Sequence, residues 1–241
     1  MAIVLVVLLT LVCWLWIVVM ARDMYGPMTG ASAWMMTPVW DPLHLLLLWA
    51  MWAVMMTGMM LPSAAPMILL AGSAARRQDA DSGARHTWFL GLGYIAIWAA
   101  FSIGATALQW WLMQTRIVTP MMEISSRRAG GVLLIVAGLY QWTPLKRACL
   151  VACQSPVAFL MQRWRGGSWG AFRMGAEHGV SCVGCCWALM LLLFAGGVMN
   201  LAVIAALTAF VAFEKLAPVG PNGARISGAL LLALGVWMLL G

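Results

Sequence analysis

The chain has 241 residues, 64% of them hydrophobic and 9% charged, whereas soluble domains run near ~45–50% apolar and ~25% charged. No soluble interior of this size holds so much apolar surface, so the composition excludes that class and implies a protein that crosses a bilayer several times. The 14 Lys and Arg against 7 Asp and Glu leave a formal charge of +7, but the basic residues sit between apolar runs, where the positive-inside rule accounts for them better than a nucleic-acid partner does.

In chain order, Ala2 to Met20 is a nearly unbroken apolar run, long enough to cross a ~30 Å hydrocarbon core as a helix. It lacks a basic leader region and a small-residue cleavage site, and is expected to be an uncleaved span. The loop from Arg22 to Pro42 carries Trp34 and Trp40, residues suited to the membrane interface. A second span is expected from Leu43 to about Gly72. Its methionines Met51, Met55 and Met59 recur every four residues and share a helical face, and Pro62 and Pro66 interrupt the backbone bonding below them. The stripe reads either as a thioether-lined step for a soft cation or as flexible packing in a bundle core, and packing is favoured.

A third span follows from about Trp88 to Met113, with Gly91, Gly93 and Gly104 expected to allow close helix approach. A short fourth runs from about Ala129 to Trp142. The connection from Thr143 to Gly175 alternates basic and apolar residues, which suits a short helix at the headgroups. A fifth span ends near Met199, Asn200 turns the chain into a sixth from Leu201 to about Phe213, and the last runs from Ile226 to Leu240. The expected fold is therefore all-α, one polytopic helical bundle over residues 1–241 with about seven spans, or six should the short fourth not cross. With seven, 10 of the 14 basic residues fall on the N-terminal side, which puts that side and the 143–175 connection in the cytoplasm. No internal repeat of fixed period is evident.

The chemistry concentrates between Met174 and Met190, where His178, Cys182, Cys185 and Cys186 fall within nine consecutive positions. His and Cys are the side chains that best bind soft and borderline transition metals. On a helix, with His178 at zero, Cys182 lies at about +40°, Cys185 at about −20° and Met174 at about −40°. Cys186 lies at about +80°, on the flank, where local unwinding at Gly179 or Gly184 would bring it in. One helix supplies three ligands from one side, which suits Cu(I) better than four-coordinate zinc. Cys149 and Cys153, also four apart, complete such a site if their connection folds back. Met174, Met55, Met59 and Glu214 are auxiliary candidates.

Two other readings stay open for the cluster. Cys182-Val-Gly-Cys185 is a C-x-x-C, the spacing of thiol–disulfide oxidoreductases, with Cys149 and Cys153 as the exchanging pair. The cysteines would otherwise be packing residues in an accessory subunit of a membrane complex. Cys13, alone in the first span, reads as a small buried hydrophobe, and His44 and His86 read as interfacial polar residues. Glu177 points away from the His178 face toward solvent or a loop arginine. Glu214 reads as structural, with Arg173 or Arg225 expected as its partner because Lys215 diverges from it on the helix.

The run H-G-V-S-C-V-G-C-C-W-A-L-M-L-L-L-F-A-G-G-V-M-N-L from His178 to Leu201, with F-E-K-L from Phe213, G-M-M-L-P-S-A-A-P-M from Gly58 and Y-Q-W-T-P-L-K-R-A-C-L-V-A-C from Tyr140, resembles a bacterial family of predicted metal-binding integral membrane proteins, a domain-of-unknown-function family. The resemblance covers about Leu45 to Leu216. It implies a multi-pass protein of the bacterial inner membrane in which His178, Cys182, Cys185, Cys186, Cys149, Cys153 and Glu214 are the positions to watch. Gln154 stands where relatives are expected to carry arginine, so a basic partner beside Cys153 is not implied here. Taken together, the residues and the resemblance lead to copper handling, with Cu(I) as the preferred cargo and zinc as the second. The expected partners are the lipid bilayer and a membrane metalloenzyme or metallochaperone, with further copies of the chain as a third; catalysis by the chain itself is not expected.

Overall fold

A computed structural model describes residues 2–26, 41–78, 82–119, 124, 126–217 and 220–240. Trp34 and Trp40, expected at the interface, lie outside them. The helices are α1 (Ala2–Met24), α2 (Pro42–Gln78), α3 (Ser82–Gln114), α4 (Arg127–Gln141), α5 (Pro144–Gln154), α6 (Pro156–Arg163), α7 (Gly167–Met190), α8 (Leu192–Gly196), α9 (Leu201–Leu216) and α10 (Gly220–Leu240). Among the described residues there is no named strand, and only one isolated bridge joins Val118 to Ile124. The all-helical expectation holds.

Among the described residues, five segments are long and apolar enough to cross a membrane: Ile3–Met24, Pro42–Arg77, Gly83–Gln114, Gly167–Gly196 and Asn222–Leu240. The helices expected as fourth and sixth spans, α4 and α9, are 15 and 16 residues long and fall short of that class. Apolar residues such as Leu8, Leu11, Leu15, Ile103, Leu230 and Trp237 stay exposed on the outer faces, as a lipid-facing surface would.

Local chemistry explains the main breaks. Thr143 caps α5 by accepting the Lys146 amide at 3.2 Å, with Pro144 following it in the first turn, where its missing N–H costs nothing. Asn200 caps α9 through the amides of Ala202 at 3.0 Å and Val203 at 3.4 Å, the turn its sequence position suggested. Gly197, at φ 91°, takes the left-handed conformation that ends α8. Pro62 and Pro66 do not break α2, which runs through both. Pro62 has no N–H for the Gly58 carbonyl one turn back, and that carbonyl accepts the Trp14 Nε1–H at 3.1 Å instead. The same contact pins α1 on α2, with Cys13 buried against Gly58 as its solitary position implied.

The bundle core is α2, α3 and α7, with α1 outside α2, and with α10 paired to α4. Helices α3 and α7 approach so closely that a Cβ at Gly93 would overlap the Phe172 carbonyl and one at Gly175 the Leu90 carbonyl. Gly91 and Gly104, expected to serve the same purpose, would have nothing within 4 Å of an added methyl and mediate no close approach. Met51, Met55, Met56, Met59, Met60 and Met67 are all buried in the core cluster.

The 143–175 connection folds back, as completion of a site by Cys149 and Cys153 requires. Most of it is helical, and α5 folds back onto α7 with Lys146 and Leu150 buried. Helix α7 begins at Gly167, so His178 stands eleven residues inside it and the cluster is central rather than at the helix mouth. Gly175, at the end of the expected connection, is one of the residues that let α7 lie against α3.

Candidate metal centre

Four elements converge on Cys182. Its Sγ lies 2.8 Å from Lys215 Nζ of α9 and 3.0 Å from the Tyr94 hydroxyl of α3. That hydroxyl also reaches the Met60 carbonyl of α2 at 3.2 Å. Cys186 points its Sγ at the Met60 thioether, 3.9 Å away, while donating to the Cys182 carbonyl at 3.0 Å. Cys185 Sγ donates to the same carbonyl at 3.1 Å. No unwinding at Gly179 or Gly184 is needed to bury Cys186: α7 is continuous through both, and α2 comes to the flank that Cys186 occupies.

The α5 segment supplies the nearby second pair. Cys153 hydrogen-bonds to the thiols of Cys182 and Cys185, and this, with burial, holds its own thiol well above the usual range. Cys149 stands off the centre with its Sγ against Gly184, where a Cβ would come within 2.6 Å of it; burial raises its thiol too. The Tyr140 hydroxyl donates to the Gly184 carbonyl and fixes this turn of α7 to α4. All six cysteines are free thiols.

His178 lies on the same helix, its ring 5.8 Å from that of Tyr94 and 5.4 Å from that of Phe159. It is buried, and its Nδ1 has no hydrogen-bond partner among the described residues. Such an orphaned buried nitrogen is uncommon, and it leaves a donor in reserve beside the thiols. Met174 is spent otherwise: its Sδ accepts the Arg165 amide at 3.2 Å. Among the described residues, no group of three or more His, Cys, Asp and Glu side chains is gathered so that it could hold an ion as it stands. What the geometry gathers is thiols of α7 with a thioether of α2, a donor set for a soft ion of low coordination number.

Glu214 is not part of this set. Its Oε2 pairs with Lys146 Nζ at 2.7 Å, and its Oε1 faces Gln141 Nε2 at 3.3 Å and Ser227 Oγ at 3.4 Å. The partner is thus Lys146 rather than the expected Arg173 or Arg225, because α5 folds back where the linear pattern suggested a headgroup helix. Gln154 donates to the Glu214 carbonyl at 2.7 Å, which gives the side chain at that position a backbone partner rather than a charge. Lys215, one residue on, points about 100° away around the helix and enters the sulfur centre. Glu177 pairs outside with Arg163 at 3.1 Å and Arg165 at 2.9 Å, as its face implied. His44 and His86 are both buried against the protein, His86 stacked on Trp164 at 4.9 Å.

Lys215, Tyr94, Ser63 and Met60 are the residues of this centre that spacing did not single out. A lysine closing an apolar helix carried a signal, since a buried ammonium needs a partner. The chain matches the family model of the PpoB2 copper chaperones over residues 49–238. It belongs to that family. The matched region runs from near the start of the Met-rich α2 almost to the end of α10 and contains every residue of the sulfur centre. No curated protein and no solved structure matches the chain.

Proposed function

We propose that this family member is a multi-pass protein of the bacterial inner membrane that binds Cu(I) between α2, α7 and α9 and hands it to a membrane metalloenzyme. The observation that carries the reading is the buried sulfur of Cys182, Cys185 and Cys186 on α7 with the Met60 thioether of α2, and the partly buried Cys153 of α5 beside them. Thiolate and thioether sulfur select Cu(I) over harder ions. Cys182 and Cys185 are the first ligands in this proposal, with Cys186, Met60 and His178 close enough to take the ion in turn. Cys149 and Cys153 stand on α5, the segment reaching the outside of α7, and serve as the next sulfurs on a transfer path. Met55, Met59 and Met174 have packing roles in this reading, and Glu214 neutralises Lys146.

The test is the metal content of the full chain, purified in detergent from copper-supplied cells. Near-stoichiometric copper, lost in a Cys182→Ser/Cys185→Ser double variant that still elutes as a folded species, is the expected result. Protein that holds neither copper nor zinc, but shows a reversible Cys182–Cys185 disulfide coupled to quinone reduction, would establish the oxidoreductase instead.

A further inference from the structure

Lys215 is 5% exposed and enclosed by the bundle. Each of its three N–H donors is taken: by Cys182 Sγ at 2.8 Å, Ser63 Oγ at 3.1 Å and Met60 Sδ at 3.9 Å. Among the described residues no carboxylate forms an ion pair with it, and the adjacent Glu214 is already matched to Lys146. An isolated ammonium in a low-dielectric interior is costly, so the compensating charge must come from sulfur.

We infer that Lys215 is the resident counter-cation of the metal centre and restricts it to a monovalent soft ion on two thiolates, Cys182 and Cys185. The inference rests on the copper reading and adds its charge rule. One ammonium and one Cu(I) together balance two thiolates, leaving the buried group neutral. A divalent ion on the same two thiolates neutralises them by itself and leaves the ammonium as one uncompensated buried charge, and among the described residues there is no carboxylate at that point to absorb it. Lys215 thus acts as a specificity-determining residue without being a ligand. Discrimination against zinc comes from net charge as well as from sulfur softness.

Removing the charge should therefore move the two metals in opposite directions. In Lys215→Leu, which brings no new sulfur, the Cu(I) bis-thiolate is left with an unbalanced negative charge, while Zn(II) on the same pair becomes neutral. Competition of the purified full chain with bicinchoninate for Cu(I), and with a chromophoric chelator for Zn(II), reads both. The expected result is Cu(I) affinity lower on the order of 100-fold and Zn(II) affinity higher by about tenfold or more, with Lys215→Arg within a few-fold of wild type for both. Equal weakening of both metals, as a purely structural lysine would give, overturns the inference, and so does no change in either. Should Lys215→Leu fail to fold, wild-type protein decides: alkylation in denaturant with mass spectrometry, with and without one equivalent of Cu(I), should find two centre thiols protected by the metal. One or three protected thiols overturn the rule while leaving copper binding standing. Wild-type protein that takes up no Cu(I) overturns both.

Discussion

The Lys146–Glu214 pair joins α5 to α9 and can be tested as a free energy. Both side chains are almost wholly enclosed, 1% and 6% exposed, and their charged atoms are 2.7 Å apart. Glu214→Ala leaves the Lys146 ammonium without its counter-charge and strands Gln141 and Ser227, which face the lost oxygen. Breaking a buried pair from one side costs about 3–5 kcal/mol, mostly the uncompensated charge. At about 2–4 °C per kcal/mol for a chain of this size, the midpoint of thermal unfolding should fall by roughly 6–20 °C. Lys146→Met with Glu214→Met removes both charges together and should recover most of the loss, since replacing a whole buried pair by apolar side chains is often near neutral. The assay is the heating midpoint in detergent, read as the fraction that still elutes as a monodisperse peak. A single variant as stable as wild type refutes the reasoning, as does a double variant no better than the single one.

Gly175→Ala should destabilise strongly and reduce copper content with it, because its Cβ would overlap the Leu90 carbonyl and push α7 off α3. Gly91→Ala, with nothing within 4 Å of the new methyl, should leave the thermal midpoint unchanged or slightly raised. Met60→Leu and Met55→Leu nearly conserve volume and should each cost less than about 1.5 kcal/mol in the same assay. Only Met60→Leu should also weaken Cu(I) in competition titrations, because Met60 alone of the two touches Cys186. Equal Cu(I) affinity in the two leucine variants would remove the thioether from the centre.

Much of the architecture was legible because lipid imposes a strong rule. A helix must satisfy its own backbone in hydrocarbon, so apolar length alone announces α1, α2, α3, α7 and α10. Helical periodicity likewise placed His178, Cys182 and Cys185 on one face of α7 and turned Glu177 outward to Arg163 and Arg165. Spacing along one helix says nothing about what stands across from it. The partners of Cys182, Tyr94 and Lys215, come from helices 88 and 33 residues away in sequence, and Met60 meets the flanking Cys186 from 126 residues away.

The local pattern misled where packing overrode it. Gly170 and Gly175 read as connection, yet both belong to α7, and Gly175 is where that helix lies directly against α3. Lys146 and Lys215 counted as loop charges under the positive-inside rule, yet both are buried. Composition and a 3.6-residue period are local properties, so a helical, membrane-type chain with His178, Cys182 and Cys185 on one helix face could be read directly from the residues. Only the tertiary structure decided which charge meets which. Glu214 and Lys215 are neighbours in the chain, but the helix turns them apart, one to Lys146 and the other to Cys182.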